Sequence, residues 1–520
     1  MDGPLSGAPG IKASEPRRRL AAAWGLLFGY AGVFLAVARN ILLVPVYLHF
    51  VPLALYGAWL ATGATLIQLL VSDFGVAGVL TQRSSALHGA GESKALGELM
   101  GSGLVAGLIL TAASLVLGVG VVAAVPTLPG LGAQETADLT RCLYLAVLAA
   151  ALGISGAIAQ GLIRSLQLSA AAGTLTLAAE ILNILVSVVM LFAGAGLYSL
   201  VWGMLARSAF LAIGSALYLW WNLRGKVALS VHRKQVSLLF ADGGVALITA
   251  LSMKSLTQAN TLFVGLILGP TSAAAYGLTV RAYETLAVFL GQMNAALAPA
   301  MAHLWGSGNT SRFRAVLANI ASGSALAAAL GIIAVVSVNE SFVRLWLHQP
   351  VFAGQTSSIL MALAVWVAQI GYVAYDALYS LGRFRYIAAT YVMAEVLQII
   401  LLVSFLRFGL WMVPLASVLT ALVWGGAFWL RVSRELDVSR ADRTATVTDL
   451  LTIALCAVAV GTSLLALYSP AESWDGLIAR AAASALAMLV ATLAMSTRLR
   501  TMLAVELRMT LRSFMARHGV

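Results

Sequence analysis

The chain has 520 residues, of which 61% are hydrophobic and only 10% are charged, and its mean hydropathy is +0.93. This composition excludes a soluble globular domain. The formal net charge of +12 does not indicate a nucleic-acid-binding protein, because the basic residues cluster between apolar segments, as they do in loops on one side of a membrane.

Apolar runs of roughly 20 residues recur along the chain, and each is long enough to cross a hydrocarbon core of about 30 Å as a helix. Backbone groups in lipid must be bonded internally, and the runs lack the alternation of a β-barrel. The predicted class is therefore an all-α polytopic membrane protein with about 14 transmembrane helices. These are predicted at 21–48, 53–80, 97–124, 141–163, 171–193, 196–221, 237–268, 271–303, 315–337, 356–380, 387–406, 409–430, 448–468 and 477–496.

The predicted domains follow this helix order, as two six-helix lobes with two additional C-terminal helices. Their ranges are 1–19 for a disordered cytoplasmic tail, 20–221 for the N-lobe, 222–236 for a cytoplasmic linker, 237–430 for the C-lobe, 431–447 for a cytoplasmic loop, 448–496 for the last two helices and 497–520 for a basic tail. The basic tail is predicted to be an amphipathic helix on the inner leaflet. A frayed extension of the last helix is the alternative.

An internal repeat supports the two lobes. Residues 260–286 align without a gap with residues 40–66, and nine of the 27 positions are identical, including Asn260 with Asn40 and the pair Tyr276-Gly277 with Tyr56-Gly57. Chance similarity between membrane helices is the alternative. If the repeat is real, two similar halves enclose a substrate path between them.

Lys and Arg residues divide unevenly between the loops on the two sides of the membrane. With the predicted helices, one side collects 24 of them, whereas the other has only Arg141, Arg344, Arg407 and Arg480. The positive-inside rule then places both termini in the cytoplasm.

Four basic residues fall inside predicted helices: Arg39, Arg207, Lys254 and Arg281. Each costs about 2.5–3.5 kcal/mol at a helix centre, so all four are expected to face the protein interior or a water-filled cavity. Three acidic residues, Glu180, Glu284 and Glu395, also lie near mid-depth. Arg281 and Glu284 are three positions apart on one helical face, within pairing distance, so mutual neutralisation competes with a functional role.

The deep basic residues outnumber the deep acidic ones, and a cavity of this kind attracts an anion such as a phosphate or diphosphate. Gln258, Asn260, Gln292 and Asn294 are suited to sugar hydroxyl groups, although polar packing between helices is a competing use. No metal-ligand spacing, Walker A sequence or activated nucleophile is found, so we predict no catalytic residue and no cofactor.

Several motifs together resemble polysaccharide transporters of the Wzx O-antigen flippase type, in the multidrug/oligosaccharidyl-lipid/polysaccharide (MOP) exporter superfamily. They are Tyr56-Gly57-Ala58-Trp59, Asp73-Phe74-Gly75, LGPTSAAAYGLTVR at 268–281, PAMAHLW at 299–305 and Leu381-Gly382-Arg383. The resemblance covers most of the chain through the twelfth helix.

The resemblance implies a bacterial inner-membrane flippase with two lobes around a cavity that opens alternately to the two sides. It implies a substrate built on undecaprenyl diphosphate, whose sugar head crosses through the cavity, and it makes a polysaccharide polymerase and co-polymerase candidate partners. Arg39, Arg207, Lys254 and Arg281 would hold the diphosphate or acidic sugars. Glu180, Glu284 or Glu395 would couple proton or sodium movement.

Two departures from the family pattern matter. Asn260 stands where many members carry Asp, which puts the coupling carboxylate in doubt, and the two extra helices resemble the lipid II flippases of the MurJ type. A lipid II flippase and a drug or metabolite antiporter of the same superfamily therefore remain alternatives, although an antiporter for cations would favour acidic cavity residues. A membrane polymerase or ligase acting on the same lipid-linked sugars would need a sizeable outer loop for its catalytic residues, and the outer loops here are short. A non-catalytic scaffold protein would not explain the charged residues inside the predicted helices.

Overall fold

The computed structural model describes residues 15–64, 76–124, 128, 130–224, 227–306, 308–466, 471–501 and 504. Within these ranges the chain is helical, with no strand. Ten of the helices in the described part are long and apolar enough to cross a membrane, and shorter apolar helices occur at Phe34–Phe50, Leu53–Ala64 and Ala259–Leu268. The chain is an all-α polytopic membrane protein, as predicted.

The first compact unit comprises Met1–Ala273. Its helices are α1 (Glu15–Phe50), α2 (Leu53–Trp59), a π-helical turn (Leu60–Ala64), α3 (Val76–Ala90), α4 (Ser93–Ala124), α5 (Ala133–Ser165), α6 (Ser169–Phe192), α7 (Tyr198–Leu223) and α8 (Arg233–Leu268). Helix α5 is central, because it packs on α3, α4, α6 and α7. Small residues allow this close packing; a Cβ on Gly156 of α5, for example, would lie 3.1 Å from Leu211 Cβ of α7.

The second compact unit comprises Ala274–Val520. Helix α9 (Pro270–Thr279) leads into it, and its other helices are α10 (Arg281–Gly306), α11 (Thr310–Leu347), α12 (Gln355–Ser380), α13 (Phe384–Phe405), a 3-10 turn (Leu406–Phe408), α14 (Met412–Glu435), α15 (Arg440–Ala466) and α16 (Trp474–Met495). The additional helices α15 and α16 both pack on α11.

The helices overlap all 14 predicted segments, with two kinds of difference. The predicted helix 271–303 is divided into α9 and α10 by a turn at Val280, next to which the carbonyl of Thr279 accepts a hydrogen bond from the side chain of Asn339. The predicted loop 431–447 is shorter, since α14 continues to Glu435, where Arg431 and Glu435 form an ion pair one turn apart.

Residues 15–19 of the predicted disordered tail belong to α1, and most of the predicted amphipathic tail lies outside the described residues. Helix α8 packs on α3, α4 and the π-helical turn of the first unit. The lobe boundary at 222–236 stays a prediction, because it rests on the repeat and not on packing.

Candidate anion-binding site

Two of the deep arginines converge on one deep carboxylate in the first unit. Nη1 of Arg39 on α1 lies 3.1 Å from Oε2 of Glu180 on α6, and Nε of Arg207 on α7 lies 2.5 Å from Oε1 of the same carboxylate. The three residues come from separate helices that the packing of α1, α6 and α7 brings side by side. A buried carboxylate needs such partners, since an uncompensated charge in a low-dielectric interior is costly.

Close contact between α6 and α7 supports this cluster. Gly203 on α7 faces Asn183 and Ser187 on α6, and a Cβ at this position would collide with both side chains. In the amide orientation that gives both side-chain atoms of Asn183 a partner, its oxygen accepts a hydrogen bond from Nη1 of Arg39. Its nitrogen then donates a hydrogen bond to the carbonyl of Gly203 at 3.3 Å. The arginine is therefore held by an amide as well as by the carboxylate.

The three charged side chains differ in exposure. The Glu180 side chain is 9% exposed, whereas the Arg39 and Arg207 side chains are 27% and 34% exposed. The carboxylate thus lies beneath two guanidinium groups that remain accessible, and the cluster carries a net charge of about +1. Each guanidinium has N–H groups beyond those that bind Glu180, so the cluster can also bind a further anion.

In the second unit, the predicted pairing of Arg281 with Glu284 is confirmed. Nη1 of Arg281 lies 3.0 Å from Oε2 of Glu284 on the same face of α10. Asn294, further along α10, is a packing residue: its Oδ1 accepts hydrogen bonds from Nε2 of Gln369 at 3.1 Å and from Oγ of Ser324 at 3.4 Å. Its amide thereby joins α10, α11 and α12.

The other predicted site residues lie on α8, α10 and α13. Lys254 is half-buried and Asn260 is buried on α8, and Nδ2 of Asn260 donates to the carbonyl of Leu256 at 3.4 Å. Gln292 is exposed on α10, and Glu395 is half-buried on α13. The side chain of Gln258 lies outside the described residues.

Asn183 is the residue that the sequence reasoning missed. It is a buried amide three positions after Glu180, so it occupies the same face of α6. That spacing was available in the sequence, but its contact with Arg39 requires α1 to pack beside α6.

A family model described as "Polysaccharide biosynthesis protein" matches residues 64–350, which is more than half of the chain. The chain belongs to the polysaccharide biosynthesis protein family. No curated protein sequence gives a significant match to it.

Solved structures show which fold this polysaccharide biosynthesis protein has. It is similar to the lipid II flippase MurJ in an inward closed conformation, with a TM-score of 0.63 and 12% identity over 90% of this chain and 97% of that one. It is also similar to an inward-facing MATE family multidrug resistance transporter of the MOP superfamily, with a TM-score of 0.60 and 14% identity over 81% of this chain and 99% of that one. A MOP superfamily transporter from Pyrococcus furiosus gives a TM-score of 0.53 at 13% identity, over 82% and 95% of the two chains. The polysaccharide biosynthesis protein thus has the fold of MOP superfamily transporters, and the resemblance seen in its motifs is confirmed.

Proposed function

We propose that the protein is a flippase that moves a lipid-linked oligosaccharide, built on undecaprenyl diphosphate, across the bacterial inner membrane by alternating access. The observation that carries this proposal is the convergence of Arg39 and Arg207 on Glu180, in a polysaccharide biosynthesis protein with a transporter fold. Two guanidinium groups that are partly exposed are suited to the diphosphate group that joins the sugar to its lipid.

The role of each residue follows from its chemistry. Arginine binds phosphate oxygens through paired N–H groups, and its charge persists at all physiological pH values. Glu180 holds the two guanidinium groups in place and leaves the cluster with one unit of positive charge. The negative charge of Glu180 weakens the binding of an anion to the two arginines, so a diphosphate can bind and be released again.

The remaining predicted site residues have secondary roles in this proposal. Lys254 and Asn260 in the first unit, and Arg281, Gln292 and Asn294 in the second, are further residues that we propose for substrate binding. Glu284 and Glu395 are the carboxylates that we propose for ion coupling. The Lys and Arg distribution supports cytoplasmic termini. A polymerase and co-polymerase would take over the exported oligosaccharide.

Export of polymer tests the proposal. In the native host, Arg39→Gln and Arg207→Gln are expected to lower surface polysaccharide roughly tenfold or more at equal membrane abundance, because each removes a charge that binds the diphosphate. The matched control is Arg498→Gln, which removes an arginine from the buried carboxylate of Asp449 in the other unit. Wild-type export in both cavity variants, or an equal loss in the control, contradicts the anion site.

The two alternatives within the superfamily give different results. A lipid II flippase is expected to sustain growth of a host whose own lipid II flippase is depleted. A drug antiporter is expected to lower the accumulation of cationic dyes. Either result without any change in surface polysaccharide contradicts the oligosaccharide proposal.

A further inference from the structure

Two arginines at one end of the second unit share a carboxylate. Nη2 of Arg383, which precedes α13, lies 2.8 Å from Oε2 of Glu435, and Nη2 of Arg431 lies 2.6 Å from Oε1 of the same side chain. Glu435 is the last residue of α14, so the two ion pairs join the ends of neighbouring helices. The arrangement is the same as that around Glu180 in the first unit.

The turn between α12 and α13 positions the first of these arginines. It consists of the motif Leu381-Gly382-Arg383, in which Gly382 has a φ of +73°, a left-handed conformation that glycine adopts readily. The N–H of Arg383 donates to the carbonyl of Leu378 at 3.0 Å, which closes the turn on the end of α12. The backbone on which Arg383 reaches Glu435 is therefore fixed.

An aromatic ring holds the second arginine. The guanidinium carbon of Arg431 lies 5.5 Å from the centre of the Tyr386 ring on α13. The Tyr386 hydroxyl donates to the carbonyl of Ala427 on α14 at 3.0 Å, so the ring is itself fixed between the two helices. A guanidinium group that contacts a ring face keeps its charge and its edge N–H groups for other partners.

Both guanidinium groups remain accessible. The side chains of Arg383 and Arg431 are 45% and 41% exposed, whereas that of Glu435 is 15% exposed. Arg385 is also exposed. Together with Glu435, these three arginines form a basic cluster with a net charge of about +2, and its guanidinium groups have more N–H donors than their contacts with Glu435 use. Two further exposed residues beside Glu435 offset each other in charge: Arg434 and Asp437.

Apolar side chains next to the basic cluster are exposed as well. Phe384 directly follows Arg383 and is 44% exposed, and Leu430 directly precedes Arg431 and is 60% exposed. Val423 is exposed seven positions before Leu430, on the same face of α14. Because α14 is long and apolar enough to span a membrane, this face is suited to acyl chains. The basic cluster thus lies where a charged surface meets an apolar one, as phospholipid headgroups do.

We infer that Arg383 and Arg431 bind the phosphate of an anionic glycerophospholipid, whose acyl chains lie along the exposed apolar face of α14. Paired N–H groups of arginine suit phosphate oxygens. The net positive charge repels the ammonium group of a zwitterionic lipid, so a lipid with an uncharged glycerol headgroup is favoured. The Lys and Arg distribution assigns this end of the helices to the cytoplasmic leaflet, where basic pockets between helices bind anionic headgroups. The site does not depend on the identity of the transported substrate.

Thermal unfolding of the full-length protein in detergent micelles tests the inference, with increasing dioleoylphosphatidylglycerol or dioleoylphosphatidylcholine at constant ionic strength. We expect Tm to rise with phosphatidylglycerol and to saturate, because the lipid binds only the folded protein, and to rise less with phosphatidylcholine. Arg383→Gln and Arg431→Gln each remove a charge that binds the phosphate. We expect each to raise the half-saturating concentration of phosphatidylglycerol roughly tenfold.

Arg164→Gln is the matched control. Arg164 is an exposed arginine in the last turn of α5, on the same predicted side of the membrane but outside the basic cluster. Its replacement changes the net charge equally and should leave the response to phosphatidylglycerol unchanged. Equal Tm values with the two lipids overturn the inference, as does a wild-type response in both Arg383→Gln and Arg431→Gln. An equal loss of response in Arg164→Gln also overturns it.

Two other sources of phosphate give different results. Inorganic phosphate, even in large excess, should not raise Tm through the basic cluster, because it has no acyl chains. A rise with inorganic phosphate that Arg383→Gln and Arg431→Gln remove overturns the inference in favour of a free-anion site. If the two variants weaken the response to undecaprenyl diphosphate at least as much as the response to phosphatidylglycerol, the basic cluster is a substrate site and the inference is wrong.

Discussion

Arg39 and Glu180 are 141 positions apart in the chain, yet their side chains form an ion pair 3.1 Å long. Arg207 pairs with the other oxygen of the same carboxylate, so one acidic residue joins α1, α6 and α7. In a membrane, charged groups of this kind must find partners inside the protein. Glu180 is therefore expected to stabilise the first unit as well as to organise the anion site.

Glu180→Gln should destabilise the protein, because it leaves two guanidinium groups without their counter-ion. Breaking a fully buried ion pair costs about 3–5 kcal/mol. Since the arginine side chains are 27% and 34% exposed, solvent compensates part of this, and we expect about 1–3 kcal/mol. Thermal unfolding in nanodiscs measures the change.

A double-mutant cycle separates the pair from general damage. The loss in free energy of unfolding for Arg39→Gln combined with Glu180→Gln should be smaller than the sum of the losses for the two single changes. Each single change leaves the other member of the pair charged without its partner, whereas the double change removes both charges of the pair. Additive costs would show that Arg39 and Glu180 do not interact energetically.

Gly203→Ala should push α6 and α7 apart, because a Cβ at this position collides with Ser187 and Asn183. We expect a loss of roughly 1–3 kcal/mol in stability, as for other overpacked sites. Gly120→Ala is the control, since a Cβ there meets no atom within 4 Å. If Gly203→Ala is as stable as this control, the close approach of the two helices is not required.

The connection between α7 and α8 is held against α4. The N–H of Ser230 donates to the carbonyl of Gly97 at 3.4 Å, and the N–H of His232 donates to Oγ of Ser102 at 3.0 Å. A Cβ on Gly97 or Gly101 would collide with the backbone of this connection. The two glycines thus form the surface on which it lies.

Gly101→Ala should release this connection and expose it to protease. The peptide bond after Arg233 is the reporter, because this exposed residue follows the docked segment directly. We expect trypsin to cleave the variant several-fold faster there, since proteolysis tracks local opening. Gly89→Ala, where a Cβ meets open space, should be cleaved at the wild-type rate. Equal rates in the two variants would argue against docking.

Asp449 fastens the additional helices to the rest of the second unit. Its Oδ2 accepts a hydrogen bond from Oγ of Ser322 on α11 at 2.9 Å and lies 3.1 Å from Nη1 of Arg498, which follows α16. Asp449→Asn keeps the shape but removes the charge, so we expect a loss of about 1–2 kcal/mol in thermal unfolding. Asp437→Asn, at an exposed left-handed turn that Asn tolerates, is the control and should have no effect. A similar Tm in both variants contradicts the anchoring role.

The candidate site was predicted only in part. Arg39, Arg207 and Glu180 were each recognised, because a charged residue inside an apolar run is visible in the sequence. Their meeting at one point was not, since it depends on which helices pack together. For Asn294, the structure shows hydrogen bonds with Gln369 and Ser324 on neighbouring helices, which is the polar packing given as the alternative to a contact with sugar hydroxyls.

The sequence by itself determined the class of the protein and the location of its membrane helices, because hydrophobicity and charge act residue by residue and need no knowledge of distant contacts. The break at Val280 was decided only by the tertiary structure. Neither proline nor glycine occupies positions 279–281, and the Thr279 carbonyl finds its partner in Asn339, 60 residues away. Nothing in the local sequence marks an interruption there. A hydrogen bond from a neighbouring helix satisfies the Thr279 carbonyl, which lowers the free-energy cost of interrupting a helix in a membrane.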